Sequence, residues 1–290
     1  MRTTVIAEVG ECFNGNMETA CLMIKEAKKA GCDIVKFQLL DMDEVASDDP
    51  EYDWFAKLNL PPRSIRKLIS CAEENGIDIL FTPVSVRTAE YIYEAGLRTV
   101  KIASSFINKD DLLSYINEKF ETVYVSTGMA ELEEIAELVD CLDKPKEIII
   151  LHCVSEYPTG PLLEQRGLKA LDEKDVHMNM MLILKALYPN LKVGYSDHTD
   201  GILAPVAAAA MGAEVIEKHF TMDRETPIAH FNNHEEYMGT DHVLSVEPKE
   251  LQQMVDAIRR VEMIRGQWKW ERSEGEKILR NFLRGRYTER

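Results

Sequence analysis

Eight short apolar runs rich in β-branched residues, separated by amphipathic stretches, constrain this chain more than any other feature. They fall at residues 4–9, 34–37, 79–81, 99–102, 122–125, 148–151, 192–194 and 214–216. Helical periodicity lies between and after them, clearest at 18–30, 62–74, 86–95, 131–141, 203–211 and 248–265. Strand alternating with helix predicts a parallel sheet joined by right-handed crossovers. Eight such units in about 250 residues place the chain in the α/β class and predict a closed (β/α)8 TIM barrel. A doubly wound sheet is the alternative, but no GxGxxG follows the first strand. Gly31, Gly76, Gly96 and Gly212 stand at helix ends just before a strand, where a left-handed residue stops a helix.

The 290 residues read as one domain, with the barrel over about 4–265 and a helical, polar tail over about 266–290. The formal charge of −16 argues against a nucleic-acid partner, because phosphates would be repelled. Any anionic substrate must then be held locally, against that global field. No apolar run approaches the roughly 20 residues that span a membrane. The first residues run straight into a strand, which leaves no room for a signal peptide and makes the cytoplasm the expected location. Cys12, Cys21, Cys32, Cys71, Cys141 and Cys153 show no CxxC pairing and read as buried free thiols.

Strands buried on both faces should be apolar throughout. Here polar residues collect at their C-terminal ends. The first strand carries Glu8, the second ends Lys36-Phe37-Gln38, and the third ends at Thr82. The fourth runs into Lys101, Ser104 and Ser105, and the fifth into Ser126-Thr127-Gly128. His152, Ser155 and Tyr157 follow the sixth, Ser196-Asp197-His198 the seventh, and Glu217-Lys218-His219 the eighth. Any one of these has an ordinary structural explanation, such as a helix cap or a paired buried charge. Eight strands feeding polar groups to one rim point to a convergent site where barrels build them.

Lys36 and Lys101, with Thr82, Ser104, Ser126 and Ser196, make two cations among hydroxyls, the make-up of a phosphate or carboxylate receptor. His198 and His219, at the ends of adjacent strands, can hold a divalent metal and leave positions open for water and substrate. Two histidines hydrogen-bonded in a polar pocket are the structural alternative. Glu8 faces the same cavity as a base or hydroxyl acceptor. Long connections at 39–60, 158–175 and 221–245 all follow strand C-termini. In the last of them, His230, His234, Glu235 and Glu236 read as a solvated polar loop and not as a second metal site.

The motifs IAEVGECFNG, VKFQ, FTPVS, KIASS, STGMAELEEI, LHCVSEYPT, VGYSDHTDG and VIEKHFTMDR resemble the sialic acid (N-acetylneuraminate) synthase family over about residues 4–265. GYSDHT followed by EKHFT is the specific pair; STGM alone says little. The resemblance implies a metal-dependent condensation of phosphoenolpyruvate (PEP) with an open-chain sugar aldehyde, giving a 2-keto-3-deoxy sugar acid and phosphate. It implies PEP binding by Lys36, Thr82, Lys101, Ser104, Ser126 and Ser196. It also implies a metal on His198 and His219, manganese first, with magnesium or cobalt as alternatives. Sugar contacts would come from Glu8, Gln38, Tyr157 and Asp241, and Glu8 would also assist proton transfer. Both substrates are small molecules, and the resemblance leaves room for a homodimer. The related barrels that condense PEP with phosphorylated aldoses are the rival enzyme class, although the acidic loops offer no basic cluster for a second phosphate. A barrel that binds PEP without turnover is the non-enzymatic reading.

The sequence departs from the family pattern at Cys12-Phe13, where a polar pair is usual. It departs again at Val84, Ser105, Phe106 and Ser155. These changes fall on the sugar side and predict an altered acceptor, or lost activity. The family's C-terminal antifreeze-like domain, which caps the partner's site, has no counterpart before Arg290.

Overall fold

The computed structural model describes residues 2–49, 52–156, 171, 173–225, 229–232, 235–238, 240–266 and 269–285. Eight parallel strands form the barrel: β1 Thr4–Glu8, β2 Ile34–Leu39, β3 Asp78–Pro83, β4 Thr99–Ile102, β5 Thr122–Ser126, β6 Glu147–Cys153, β7 Lys192–Asp197 and β8 Val215–His219. The hydrogen-bonded order is β3-β2-β1-β8-β7-β6-β5-β4, and its two end strands lie side by side to close the ring. Outside it run α1 Met17–Lys29, α2 Tyr52–Leu58, α3 Pro62–Asn75, α4 Val86–Glu94, α5 Asp110–Lys119, α6 Leu132–Cys141, α7 Asn179–Leu187 and α8 Leu203–Met211. α9 Thr240–Leu244, α10 Pro248–Arg265 and α11 Glu274–Gly285 follow. The predicted TIM barrel is therefore the fold, and the helices read from periodicity agree to within a residue at each end. Gly31, Gly76, Gly96 and Gly212 all take positive φ, as helix termination requires.

Side chains alternate across each strand, and the alternation separates two cores. Inward positions near the strand starts (Ile6, Ile34, Leu80, Tyr124, Ile149, Leu151 and Val215) fill the barrel as one buried cluster. Outward positions such as Val35, Phe37, Phe81, Val100, Val123 and Ile216 pack against the helices in a second, larger cluster. Two residues further along the same inward rows stand Glu8, Lys36, Thr82, Lys101, Ser126, Cys153, Ser196, Glu217 and then His219. The parallel register sets Glu8 beside both Lys36 and His219, and Ser196 beside Glu217.

Three readings need correction. Not all the strand-end polar groups face the rim. His152, Asp197 and Lys218 point outward, since each is one residue out of phase with the inward row. His152 Nε2 donates to the Val176 carbonyl at 2.8 Å, and Lys218 pairs with Asp197 at 2.7 Å with both side chains fully buried. Nor are all six cysteines buried thiols. α1 and α3 pack side by side and bring Cys21 and Cys71, 50 residues apart, to a Cα separation of 5.9 Å, where they form a disulfide. Cys141 is exposed, whereas Cys12, Cys32 and Cys153 are buried and free. Finally, the connection over 221–245 is not a plain loop: β9 Ala229–Asn232 and β10 Glu235–Met238 form an antiparallel hairpin before α9. His234 and most of the 158–175 connection lie outside the described residues.

The acidic connection after β2 is tied over the barrel's rim. Asp41 accepts the Ser85 hydroxyl at 2.5 Å, Arg87 pairs with Asp41 and Asp43, and Lys109 reaches Glu44 at 2.6 Å. Among the described residues no helix is long and apolar enough to cross a membrane.

Candidate active site

The C-terminal end of the barrel opens into a cavity of about 190 Å³ lined by Lys36, Gln38, Lys101, Ala103, Ser104, Ser105, Ser126, Met129, Cys153, Ser155, Ser196, His198, Glu217 and His219. Its floor is a chain of buried charges. Lys36 Nζ lies 3.1 Å from Glu8 Oε2 and 3.2 Å from Glu217 Oε1. Lys101 Nζ donates to both Glu217 oxygens, at 2.9 and 3.1 Å, and Ser196 Oγ donates to Glu217 Oε1 at 2.8 Å. Gln38 Nε2 donates to Glu8 Oε1 at 3.0 Å. Period-two geometry explains the grouping: Glu8, Lys36, Lys101, Ser196 and Glu217 all stand on inward-facing rows near the C-terminal ends of β1, β2, β4, β7 and β8.

These groups do not titrate alike. Burial raises Glu8 to about 7, although Lys36 opposes it. Burial tends to raise Glu217 too, but Lys101 and Lys36 outweigh it and hold that carboxyl well below the usual range. Burial lowers Lys101 to about 8 despite Glu217. Lys36 feels the same burial, yet Glu217 and Glu8 together leave it above its ordinary value. Near neutrality Glu217 is therefore the permanent counter-ion, and Glu8 is the carboxyl that can be found in either state.

Above this floor two buried hydroxyls, Thr82 Oγ1 and Ser126 Oγ, have no hydrogen-bond partner among the described residues. Folding rarely leaves such groups unmatched, since each costs about 1–3 kcal/mol unless something else satisfies it. Ser104 lies in the short turn after β4, where its Oγ accepts the Gly128 amide at 3.0 Å. A side chain at Gly128 would put its Cβ 2.1 Å from Ser155 Oγ, so glycine is what lets the turn after β5 close onto Ser104 and Ser155.

The imidazoles of His198 and His219 lie with ring centroids 5.3 Å apart. His198 Nδ1 meets the Val154 carbonyl at 2.8 Å, which makes Nδ1 the donor and leaves the ligating lone pair of a neutral ring on Nε2. Burial pulls His198 down, but Cys153, whose Sγ is 3.7 Å away, and the Val154 carbonyl bring it up to about 9. Burial and the neighbouring His198 keep His219 well below its ordinary value, so its ring is neutral. Asp241 approaches His219 at 3.7 Å, and its carboxyl is raised by burial in spite of His198. Gly10 admits it: a Cβ there would lie 2.3 Å from Asp241 Oδ2. Among the described residues no set of three or more His, Cys, Asp or Glu is arranged around a metal position. His198 and His219 are the imidazole donors that line the cavity. They fit an ion held by two imidazoles and completed by water and substrate, and loading it requires His198 to lose its proton.

Of the residues assigned to anion, metal or sugar, Lys36, Gln38, Lys101, Ser104, Ser126, Ser196, His198 and His219 line the cavity, Glu8 and Asp241 contact that lining, Thr82 lies in register with Gln38, and Tyr157 lies outside the described residues. The structure also adds Glu217, which bridges both lysines. Period two was the available signal: if His219 faces the cavity, Glu217 must as well. On the sugar side the departures separate. Ser105 and Ser155 line the cavity, but Phe13 is buried in the helix-facing core, edge-on to Phe37 at 6.1 Å. Its change to an aromatic serves packing and does not reshape the pocket. Phe106 packs against the same core, with Lys109 over its ring at 5.8 Å.

Comparison with known proteins gives a consistent picture. The NeuB family pattern matches residues 23–270. An uncharacterized protein of Methanocaldococcus jannaschii is 38% identical over 279 residues, covering 95% of this chain and 74% of its own. The N,N'-diacetyllegionaminic acid synthase of Legionella pneumophila is 31% identical over 99% of this chain and 80% of its own. A crystal structure of the N-acetylneuraminic acid synthetase of Leptospira borgpetersenii, in complex with citrate, superposes with a TM-score of 0.85 at 30% identity, over 100% of this chain and 94% of that one.

Proposed function

The chain belongs to the NeuB family, and from that premise we propose that it condenses PEP with an open-chain sugar aldehyde to give a 2-keto-3-deoxy sugar acid and phosphate. One observation carries this reading. Two buried lysines and the Ser126 hydroxyl line a cavity that opens beside a pair of imidazoles, Thr82 lies next to it in register with Gln38, and neither hydroxyl has a partner among the described residues. That is a receptor for a compact, highly charged anion next to a place for an electrophile.

The phosphate and carboxylate of PEP would take the lysines and the hydroxyls of Thr82, Ser104, Ser126 and Ser196. Glu217 stays ionised between Lys36 and Lys101 and fixes both ammonium groups in position. His198 and His219 would hold a divalent cation, manganese being our first expectation, which when bound polarises the aldehyde oxygen as a Lewis acid. C3 of PEP attacks the aldehyde carbon, and the new alkoxide takes up a proton. Water adds at the oxocarbenium carbon C2 and loses one proton, and its other proton passes to the leaving phosphate as the C–O bond breaks and the C2 ketone forms. Glu8, able to hold or release a proton near pH 7, would donate to the alkoxide, with Gln38 hydrogen-bonded to it at 3.0 Å. Gln38, Asp241 and Tyr157 would address sugar hydroxyls. Holding both reactants in one cavity supplies much of the rate through fixed attack geometry.

The test is phosphate release from PEP across a panel of aldoses and 2-acetamido hexoses with manganese present. Release that requires both PEP and one class of acceptor supports the reading. No acceptor-dependent release with any of them sinks it.

A further inference from the structure

Met129 has two features that neither the anion floor nor the imidazole pair requires. Its backbone sits at φ +67°, in the left-handed region that side-chain-bearing residues avoid at a cost of roughly 1–2 kcal/mol. Its side chain is 68% exposed and stands on the lining of the cavity. Scattered exposed apolar residues are common on any surface. An exposed one held in a strained conformation at the mouth of a site is not, because strain survives where the surroundings over-determine it.

The surroundings here do so. The Thr127 amide and hydroxyl both donate to the Leu151 carbonyl, at 3.0 and 3.2 Å. The Gly128 amide donates to Ser104 Oγ at 3.0 Å, and the Ala130 amide returns to the Thr127 carbonyl at 3.3 Å. The turn is pinned on both sides of Met129, so a residue that would relax toward negative φ is kept overhanging the opening. Among the described lining residues Met129 is the one large apolar side chain, in a lining that otherwise includes Gln38, Ser105 and Ser155. An unbranched thioether is soft enough to follow the outline of a small apolar group.

We propose that Met129 sets acceptor specificity, by contacting a methyl-bearing substituent of the sugar, an N-acyl methyl or a deoxy methyl, while the polar groups address its hydroxyls. This rests on the condensation proposed above and names the residue of that site that reads the acceptor's substituent. A polyol without such a group leaves Met129 in water and gains nothing from it.

The experiment compares kcat/KM for a 2-acetamido hexose, a 6-deoxy hexose and the parent hexose, in the wild type and in Met129→Ala, Met129→Leu and Met129→Gly. Burying one methyl group supports a preference of about fivefold. The wild type should favour whichever substituent meets Met129 by that factor. Met129→Ala should erase the preference with KM for PEP unchanged, and Met129→Leu should keep it. Met129→Gly should erase it without lowering Tm, because glycine accepts φ +67° freely. An unchanged preference in the alanine and glycine variants overturns the proposal, as does a parallel rise in KM for PEP and for every acceptor. Failure of the wild type to turn over any acceptor overturns the condensation itself, and this role with it.

Discussion

Strands β7 and β8 carry charge on both faces, and the two faces are built differently. On the outer face Asp197 is fully matched: it accepts from Tyr195 Oη at 2.7 Å, from the Thr199 hydroxyl at 2.9 and 3.1 Å, and from Lys218 Nζ at 2.7 Å. On the inner face, one residue away along each strand, Glu217 serves two lysines, while Thr82 and Ser126 on other strands have no partner among the described residues. Both clusters are buried and both pair a carboxylate with an ammonium. The outer one is closed upon itself and locks β7 to β8. The inner one keeps unspent hydrogen-bonding capacity and an equilibrating carboxyl. Burial of charge therefore does not mark a site; incomplete satisfaction of buried groups does.

The sharpest separation should come from the imidazoles. His198→Ala and His219→Ala should each lose bound manganese, measured by elemental analysis, and lower turnover on the order of 10³-fold or more. Chelation of the wild type should do the same, reversibly. Metal retained at full occupancy in both variants would break the inner-face assignment. On the outer face, Lys218→Met leaves Asp197 buried without its cation and should cost about 3–5 kcal/mol of stability, read by denaturant titration. PEP affinity per folded molecule should be untouched.

Lys101→Met makes the opposite trade. Glu217 keeps Lys36 and Ser196, so the fold should survive with little change in Tm. The anion loses one charge-assisted partner, worth about 1.5–3 kcal/mol, or roughly 10–150-fold in PEP binding by calorimetry. If Lys101→Met unfolds the chain while Lys218→Met spares it, the two faces have been misread.

How far the sequence carried this picture follows from the same geometry. Strand and helix periods differ enough to show the barrel, and the polar ends of its strands showed which rim to watch. Triplets such as Ser196-Asp197-His198 and Glu217-Lys218-His219 did not reveal which members face in. Parallel strands are buried on both sides, so hydrophobic alternation is missing, and a shift of one residue exchanges the faces. For that reason Asp197, Glu217 and Lys218 all read as rim groups from sequence, with nothing to single out Glu217 for a role in the site. Phe13 shows the same limit in a loop, since its residue type could not say whether it fills the pocket or the core. The Cys21–Cys71 link depends on two helices packing side by side, which no local spacing records.

A smaller effect tests Glu8. The floor holds two ammonium groups and two carboxylates, so an incoming polyanion competes with Glu8 for Lys36 unless Glu8 is protonated. Its pKa near 7 means that the protonated form prevails below that pH and disappears above it. PEP affinity should therefore be level below about pH 7 and weaken up to about tenfold per unit above it, one proton being taken up on binding. Glu8→Gln should flatten that limb. An alkaline limb that persists in Glu8→Gln would assign it to Lys101, whose ammonium is held near 8.

The smallest expected change is the most discriminating. Ser126→Ala removes a buried hydroxyl that has no partner among the described residues. A hydroxyl kept for the fold would cost stability when deleted. One kept for a ligand should cost none, because the unfolded chain solvates it better than the empty site does. The variant should therefore match or exceed the wild type in Tm while binding PEP about fivefold more weakly, the loss of one hydrogen bond of about 1 kcal/mol. Lower stability with unchanged PEP binding would move Ser126 to the same class as the Asp197 cluster, and the distinction between the two faces would then rest on the lysines alone.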